Sequence, residues 1–202
     1  MAHPLDSIGF SELAPAGYYI AVRLGFAFPL AEYNELPEPW VEYYTRNGLM
    51  LDDPVVRWIY DHTGARAWSA IDTPDPRGVM AQARAFGLNF GVAIVCADPG
   101  PGGQRSFGSF ARGDREYTDL EIRLLSGKLQ LLHAQMAPPS NLTRAELEAL
   151  RMVKDGLKLK EIAGELQITE GAVKQRLKNA RQKLGARNGS HAVSLAVGAG
   201  LI

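Results

Sequence analysis

Cysteine is nearly absent from this chain. Of 202 residues only Cys96 carries a thiol, so no internal disulfide can close and no cysteine-based zinc site can be built. Long apolar runs are missing too. No stretch of about 18 uninterrupted apolar residues occurs, which argues against a membrane-spanning helix. Residues 1–15 lack a basic flank followed by an apolar run, so they do not read as a secretory signal. Net charge is also absent, with 22 Lys+Arg against 22 Asp+Glu. The hydrophobic fraction of 46% excludes disordered and collagen-like classes, and the length allows one domain with a core plus a small second one. Together these features predict a soluble, cytoplasmic protein with no membrane partner.

The balanced charge is unevenly spread. Residues 1–140 hold 11 Lys+Arg and 16 Asp+Glu, a net of −5, whereas residues 141–202 hold 11 and 6, a net of +5. A basic end of this kind suits a polyanion, although a solvated basic face would carry the same charge. The balance changes at Ala137-Pro138-Pro139-Ser140-Asn141, where two prolines cannot continue a helix. Residues 137–141 are therefore expected to link a domain of residues 1–136 to one of residues 142–202. Gly100-Pro101-Gly102-Gly103 reads as a tight connection between strands, because no helix start or lysine follows at the spacing a phosphate-cradling loop needs.

Upstream of the linker, helix and strand patterns mix. Tyr18, Ile20, Val22, Leu24 and Phe26 alternate with Tyr19, Ala21, Arg23 and Gly25, which is strand periodicity. Proline opens short helices at 39–44 and from Pro54. Ala67–Ile71 reads as a strand, and Gly78–Phe86 as a helix ended by Gly87. Gly91–Cys96 and Ser106–Ala111 form a hairpin. Thr118 and Glu121 make a capping box that opens a helix to about Gln135. This order predicts one largely antiparallel sheet covered by helices on both faces. In the helix from 119, Leu125, Leu129, Leu132 and Met136 make one apolar stripe; Leu120, Leu124 and Leu131 make another. The second stripe can meet a partner copy, or both can lie in one core.

The residues beyond the linker carry the sharpest pattern. Thr143 and Glu146 form a second capping box. Leu147, Leu150 and Val153 then give an apolar face, and Gly156 stops the helix. Residues 159–166 make a short helix and Gln167-Ile168-Thr169 a three-residue turn. Thr169 is a good N-cap for a third helix of about fifteen residues. Within it Val173, Leu177, Ala180 and Leu184 face inward, and Lys174, Gln175, Arg176, Lys178, Arg181 and Lys183 face outward. A last helix, capped by Ser190, runs to Val197. Two helices across so short a turn, the second basic on its outside, describe a helix-turn-helix. Its second helix fits a major groove, where Arg and Gln read guanine and adenine edges and Lys neutralises phosphate. Double-stranded DNA is the expected partner, with Thr169, Lys174, Gln175, Arg176, Lys178 and Arg181 as its contacts. The whole chain is then α+β: an α/β/α sandwich followed by a four-helix DNA-binding domain.

At these residues a family resemblance enters. Residues 142–202 resemble the helix-turn-helix module of the LuxR type, with Glu146, Leu150, Gly156, the EIA of 161–163 and the KLG of 183–185 at signature positions. Ala172 stands where that family usually has Thr, and Gly189 where it usually has Arg. Residues 17–136 are similar to the acyl-homoserine lactone-binding domain of quorum-sensing regulators. The spacing of Trp40, Tyr44, Asp53-Pro54 and Trp68 carries this likeness, together with the GLNFG of 87–91.

The resemblance implies a transcription regulator with a sensor domain at 1–136. Its DNA binding as a homodimer would be modulated by an acyl-homoserine lactone or a similar small signal, with no cofactor or metal and with RNA polymerase as a further candidate partner. It implies that Trp40 donates to the lactone carbonyl, Tyr44 to the acyl carbonyl, that Asp53 accepts the amide N–H, and that Trp68 covers the ring. Ser109 is a polar contact for an oxygen on the acyl chain or an exposed strand serine. Phe90, where a small residue such as Ser is frequent, would fill tail space or redirect the tail. Tyr18, Tyr33 and Tyr43 line the cavity or simply pack. Asp53 can equally cap the helix that Pro54 starts, with the aromatics as ordinary core. The alternative is an orphan regulator of the same type, whose sensor domain answers to a different molecule or only dimerises.

Other functions fit less well. A phosphorylated receiver needs an acidic pair just after its first strand, and Asp52-Asp53 follow a helix and a loop. An enzyme is disfavoured because His3, His62, His133 and His191 are scattered. His62 beside Asp61 lacks a third, orienting partner. Cys96 in an apolar strand reads as a small core residue, and His191 is expected in the first turn of the last helix.

Overall fold

The computed structural model describes residues 9–24, 28–100, 103–137 and 141–202. The readings that touch His3, Gly25, Phe26, Pro101, Gly102 and 138–140 lie outside these. Among the described residues two compact units form, one of residues up to 23 with 31–136, the other of residues from 137 onward with 24 and 28–30. No helix of the described residues is long and apolar enough to cross a membrane.

In the first unit β1 (Gly17–Leu24), β2 (Pro29–Asn34), β3 (Gly64–Ala67), β4 (Phe90–Ala97) and β5 (Arg105–Arg112) build one sheet in the order β2-β1-β5-β4-β3. The β3–β4 and β4–β5 ladders are antiparallel, with Val92 opposite Phe110 and Ala93 opposite Ser109. Side chains alternate across a strand, and here both faces are covered. On one face Tyr18, Ile20, Val22, Val92, Ile94 and Phe110 pack with Phe10 and with Leu125, Leu129 and Leu132 of α4 (Asp119–Gln135). On the other, Ala111 packs with Trp40 of α1 (Glu38–Arg46) and with α3 (Val79–Arg84), while α2 (Pro54–Asp61) lies between them in sequence. The expected sandwich stands.

Two details differ from expectation, and one alternative left open is decided by burial. The strand expected at 67–71 ends at Ala67, and Trp68–Ala70 turn into a short 3-10 helix. At this point the indole lies against β4: a Cβ on Gly91 would sit 2.2 Å from the Trp68 ring, so glycine there leaves the room the ring occupies. Pro29–Asn34 is a strand that the residue pattern does not mark: Leu30 is exposed, Ala31 and Tyr33 are half-buried, and it starts on proline, as edge strands can. In α4 the two leucine stripes separate: Leu125, Leu129 and Leu132 are buried, whereas Leu120, Leu124 and Leu131 stay exposed.

The end of β1 is held by a buried cation. Arg23, 2% exposed, has a positive φ of 51°, a conformation most side chains avoid. Its backbone N–H donates to Ser106 Oγ at 2.8 Å and its Nε to the His133 carbonyl at 2.8 Å. Nη1 donates to Asp98 Oδ2 at 2.7 Å and to Gln104 Oε1 at 3.1 Å. His133, at the end of α4, bonds Ser106 through Nδ1 (2.6 Å) and Asp98 through Nε2 (3.1 Å). The bond to Arg23, with that to His133 beside it, draws the Asp98 carboxyl below its ordinary value. The network therefore ties the last turn of α4 to β1 and to the β4–β5 hairpin.

The second unit stacks α5 (Arg144–Lys154), α6 (Leu159–Glu165), α7 (Glu170–Lys183) and α8 (Gly189–Gly198). Leu150, Ala180, Ala192 and Ala196 form one core, and Ile162, Ala163 and Val173 another. The Thr143–Glu146 capping box is formed. Two readings are corrected. Asn188, not Ser190, caps the last helix, because the Asn188 side chain reaches the His191 N–H at 2.8 Å; His191 does lie in the first turn. Lys183 does not belong to the free basic face. Its ammonium bonds both Glu146 oxygens, at 2.9 and 2.8 Å, and the Asn141 carbonyl. Burial opposes the charge on Glu146, but Lys183 and Thr143 outweigh it and hold the carboxyl below its usual 4.5.

Two outcomes are expected. Arg23→Lys cannot fork to Asp98, Gln104 and the His133 carbonyl together, so urea unfolding should show a loss of about 1–3 kcal/mol. Glu146→Gln strands the Lys183 charge and should cost about 2–4 kcal/mol at neutral pH. Because the folded carboxyl titrates below its unfolded value, its contribution is present above the unfolded pKa and lost as pH falls through the folded one. The gap between wild type and Glu146→Gln should therefore narrow in melts taken below about pH 4.

Candidate ligand site and nucleic-acid interface

The site grows from α1. Pro37 and Pro39 start this helix, and Trp40 and Tyr44, four residues apart, stand on one of its faces. Trp40 is buried, with its ring centroid 5.3 Å from Tyr44 and 5.4 Å from Phe86. After α1, Gly48 turns left-handed and a 3-10 helix, Leu49–Leu51, brings the chain to Asp53. There Asp53 takes the capping role. Its Oδ1 caps α2, accepting from the Val55 N–H at 2.8 Å and the Val56 N–H at 3.4 Å. Its Oδ2 accepts the Tyr44 hydroxyl at 2.8 Å. Burial raises the Asp53 carboxyl above 3.8, and the bonds from Tyr44, Val55 and Val56 pull it back. Burial, with the Asp53 charge beside it, lifts the Tyr44 phenol far above 10, so Tyr44 remains a neutral donor.

Trp68 and Tyr44 both pack against the cluster around Trp40. Among the described residues, Trp68 Nε1 and the Tyr117 hydroxyl are buried with no hydrogen-bond partner. Leaving such a donor unmade costs about 1–3 kcal/mol, and an acceptor placed against Trp68 would remove that cost. Ser109 lies two residues before Ala111 on β5, hence on this same face of the sheet. The structure thus brings Trp40, Tyr44, Asp53, Trp68 and Ser109 to one side of the sheet, with indole and hydroxyl donors and a carboxylate acceptor among apolar walls.

Other residues sort differently. Tyr18 and Tyr33 pack on the α4 side, away from this site, whereas Tyr43 stays beside Trp40 and Phe86 and bonds Gln82. Phe90 pairs with Arg112 one residue out of step from Gly91, so by alternation it lies on the face opposite Gly91, the α4 face. Tyr19 was missed. It sits opposite Tyr18 in the alternation, stacks near Phe107, and its phenol is lifted by burial and by the bond to Glu32. The period of two separates these rows but does not say which row looks at α1.

One histidine, His133, differs from expectation. Ser106, His133 and Asp98 stand in hydrogen-bond sequence, which the scattered positions do not suggest. They are not a nucleophilic centre: Ser106 is completely buried and its oxygen already receives the Arg23 N–H. His62 is exposed, stacked on Trp58 with its Nδ1 at the Trp58 carbonyl.

In the second unit α6 and α7 meet through a turn in which Gln167 takes a positive φ of 53°. Thr169 caps α7 by accepting the Ala172 N–H at 3.1 Å. Val173 and Ala180 of α7 are buried; Lys174, Gln175 and Lys178 are exposed, and Arg176 and Arg181 half-buried on the flanks. The result is a short first helix, a tight turn and a second helix with an amide and cations outside, the geometry of a major-groove reader.

An α/β/α unit followed in the chain by a helix-turn-helix defines the class as a transcription regulator with a separate N-terminal domain. The model of the autoinducer binding domain matches residues 27–137, and that of bacterial regulatory proteins of the luxR family matches residues 140–196. The regulatory protein SdiA of Escherichia coli (strain K12) is 30% identical over 92% of this chain and 83% of its own length. The transcriptional activator protein SolR of Ralstonia nicotianae (strain GMI1000) is 30% identical over 92% and 84%. The crystal structure of E. coli SdiA superposes with a TM-score of 0.54 at 29% identity, covering 92% of this chain and 84% of that one. SdiA in complex with octanoyl-rac-glycerol gives 0.58 at 25%, covering 98% and 89%. The chain belongs to the LuxR family of transcriptional regulators, with an autoinducer-binding domain before its DNA-binding one. Its relatives are regulators, not enzymes.

Gly91→Ala tests how the Trp68 wall is built. The added methyl would drive into the indole, so thermal melts should show a loss of about 1–3 kcal/mol and Trp68 fluorescence should shift as the ring is displaced.

Proposed function

We propose that this regulator senses an N-acyl-homoserine lactone, or a small signal of the same polar-head and apolar-tail chemistry, with the head at Trp40, Tyr44, Asp53 and Trp68. The convergence of these four residues on one sheet face carries the reading. Such a ligand offers two carbonyl acceptors and one amide donor, which answer two indoles, a hydroxyl and a carboxylate. The unpartnered Trp68 N–H and the remaining lone pairs of Asp53 Oδ2 favour a molecule that both accepts and donates. Ser109 faces the same side, where it can meet an oxygen on the tail. SdiA is a relative whose structure holds octanoyl-rac-glycerol, a molecule with the same division into polar head and apolar tail.

The sensor would span residues 1–136, a linker residues 137–141, and the DNA-binding domain residues 142–202, in a cytoplasmic homodimer. The exposed leucines of α4, Leu120, Leu124 and Leu131, with Gly127 open between them, follow the 4-3-4 spacing of a helix–helix seam. A two-fold dimer sets two recognition helices in successive major grooves. Thr169, Lys174, Gln175, Arg176, Lys178 and Arg181 would line each, and RNA polymerase is the partner such a regulator would engage on DNA.

Asp53→Asn separates the two roles of that residue. Asn caps helices as well as Asp does, so the cap on α2 is kept, while loss of the Tyr44 bond to Oδ2 should cost about 1–3 kcal/mol in urea unfolding. An amide in place of Oδ2 loses an acceptor, so the dose response of a reporter to N-octanoyl-homoserine lactone should weaken about tenfold or more. An unchanged dose response would reject Asp53 as a ligand residue.

A further inference from the structure

The outer surface of α7 carries more than cations. Counting roughly 100° per residue, Val173, Leu177, Ala180 and Leu184 centre on the packed side, and Gln175 stands almost directly opposite them. Lys174 and Lys178 lie to one side of Gln175, and Asn179, one turn on, lies to the other. Gln175 is exposed, yet its amide is not free: Nε2 donates to Asn179 Oδ1 at 2.8 Å.

We propose that Asn179 is a positioning residue that sets the amide of Gln175 for reading one base pair, most simply adenine in the major groove. This rests on the DNA-binding reading above. A glutamine side chain moves through several rotamers, and freezing it on binding costs conformational entropy. The bond to Asn179 orders it beforehand. Held in this way, Gln175 still presents Oε1 and its second N–H, an acceptor and a donor side by side. Adenine offers the complement, the N6 donor and the N7 acceptor. Lys174 and Lys178 attract phosphate but carry no such pattern. On the outermost line of α7, with Arg176 and Arg181 on its flanks, the donor–acceptor pattern therefore comes from the amide pair, and Asn179 contributes to it without touching a base.

The test uses the full chain and a pool of random duplexes at low salt, with and without N-octanoyl-homoserine lactone. Gln175→Ala should abolish the preference at one base pair of each half-site. Asn179→Ala should relax that same pair about three- to tenfold and leave the salt dependence unchanged, because no phosphate contact is lost. Asn179→Asp keeps an acceptor for Gln175 Nε2 and should restore the preference, at lower overall affinity from the added negative charge. If wild type enriches no sequence in either condition, the DNA-binding reading falls, and the proposal with it. If wild type enriches a site but Asn179→Ala gives the same profile, or relaxes a different pair from Gln175→Ala, the proposal alone is overturned.

Discussion

A carboxylate can be taken out of water only if its oxygens are bonded, and this chain meets that demand at the start of a helix in each of its two units. Asp53 gives one oxygen to the N–H groups that open α2 and the other to Tyr44. Glu146 closes the capping box of α5 and bonds Lys183 at the far end of α7. In both cases the helix supplies backbone donors and a favourable dipole end, and one distant side chain supplies the rest. The first carboxylate fixes how α1 and α2 flank the candidate site. The second fixes how the recognition helix is held against α5. Each unit is organised around the same electrostatic requirement, and each uses it where function needs a rigid angle.

The sheet divides the labour of the first unit. Residues of one parity along β1, β4 and β5 close against α4; those of the other parity face α1 and α3. Val92 and Gly91 are neighbours, yet one is buried under α4's leucines and the other lies beneath Trp68. A molecule held on the α1 side and the helix that leads into the linker therefore share the same strands. Arg23 strengthens the second side of this arrangement. Its guanidinium, nearly free of solvent, gathers Asp98, Gln104 and the last turn of α4. Ser106, which bonds His133 at the end of α4, and Ser109 and Ala111 of the other face belong to one strand, β5.

Much of this was legible in the residues. Capping boxes at Thr118 and Thr143, the hairpin of β4 and β5, and the packed stripe of α7 depend on contacts within a few positions, and local patterns report them. The family resemblance pointed to Trp40, Tyr44, Asp53, Trp68 and Ser109, and the fold gathers them on one face. What escaped depends on distance or on which side a period faces. The Arg23 network joins residues up to 110 positions apart, and no local pattern marks a buried arginine. Tyr19 and Phe90 fell on unforeseen sides because alternation defines two rows without naming the core each row meets. Ser190 and Asn188 are both competent caps, and only the backbone angle at Asn188 decides between them.

Charge alone also overstates how α7 meets a polyanion. Lys183 contributes to the basic end of the chain, yet its ammonium is committed to Glu146 and to the Asn141 carbonyl. It anchors the helix, and Lys174 and Lys178 are left exposed, with Arg176 and Arg181 half-buried on the flanks. A cation that holds the helix in place and cations that can reach DNA look identical in a count, but they act at different stages. The first sets the direction in which α7 projects, and only then do the others, with Gln175 between them, have a defined surface to present. Of the +5 charge beyond the linker, the part bound to Glu146 is structural, and the affinity for a duplex must come from the remainder.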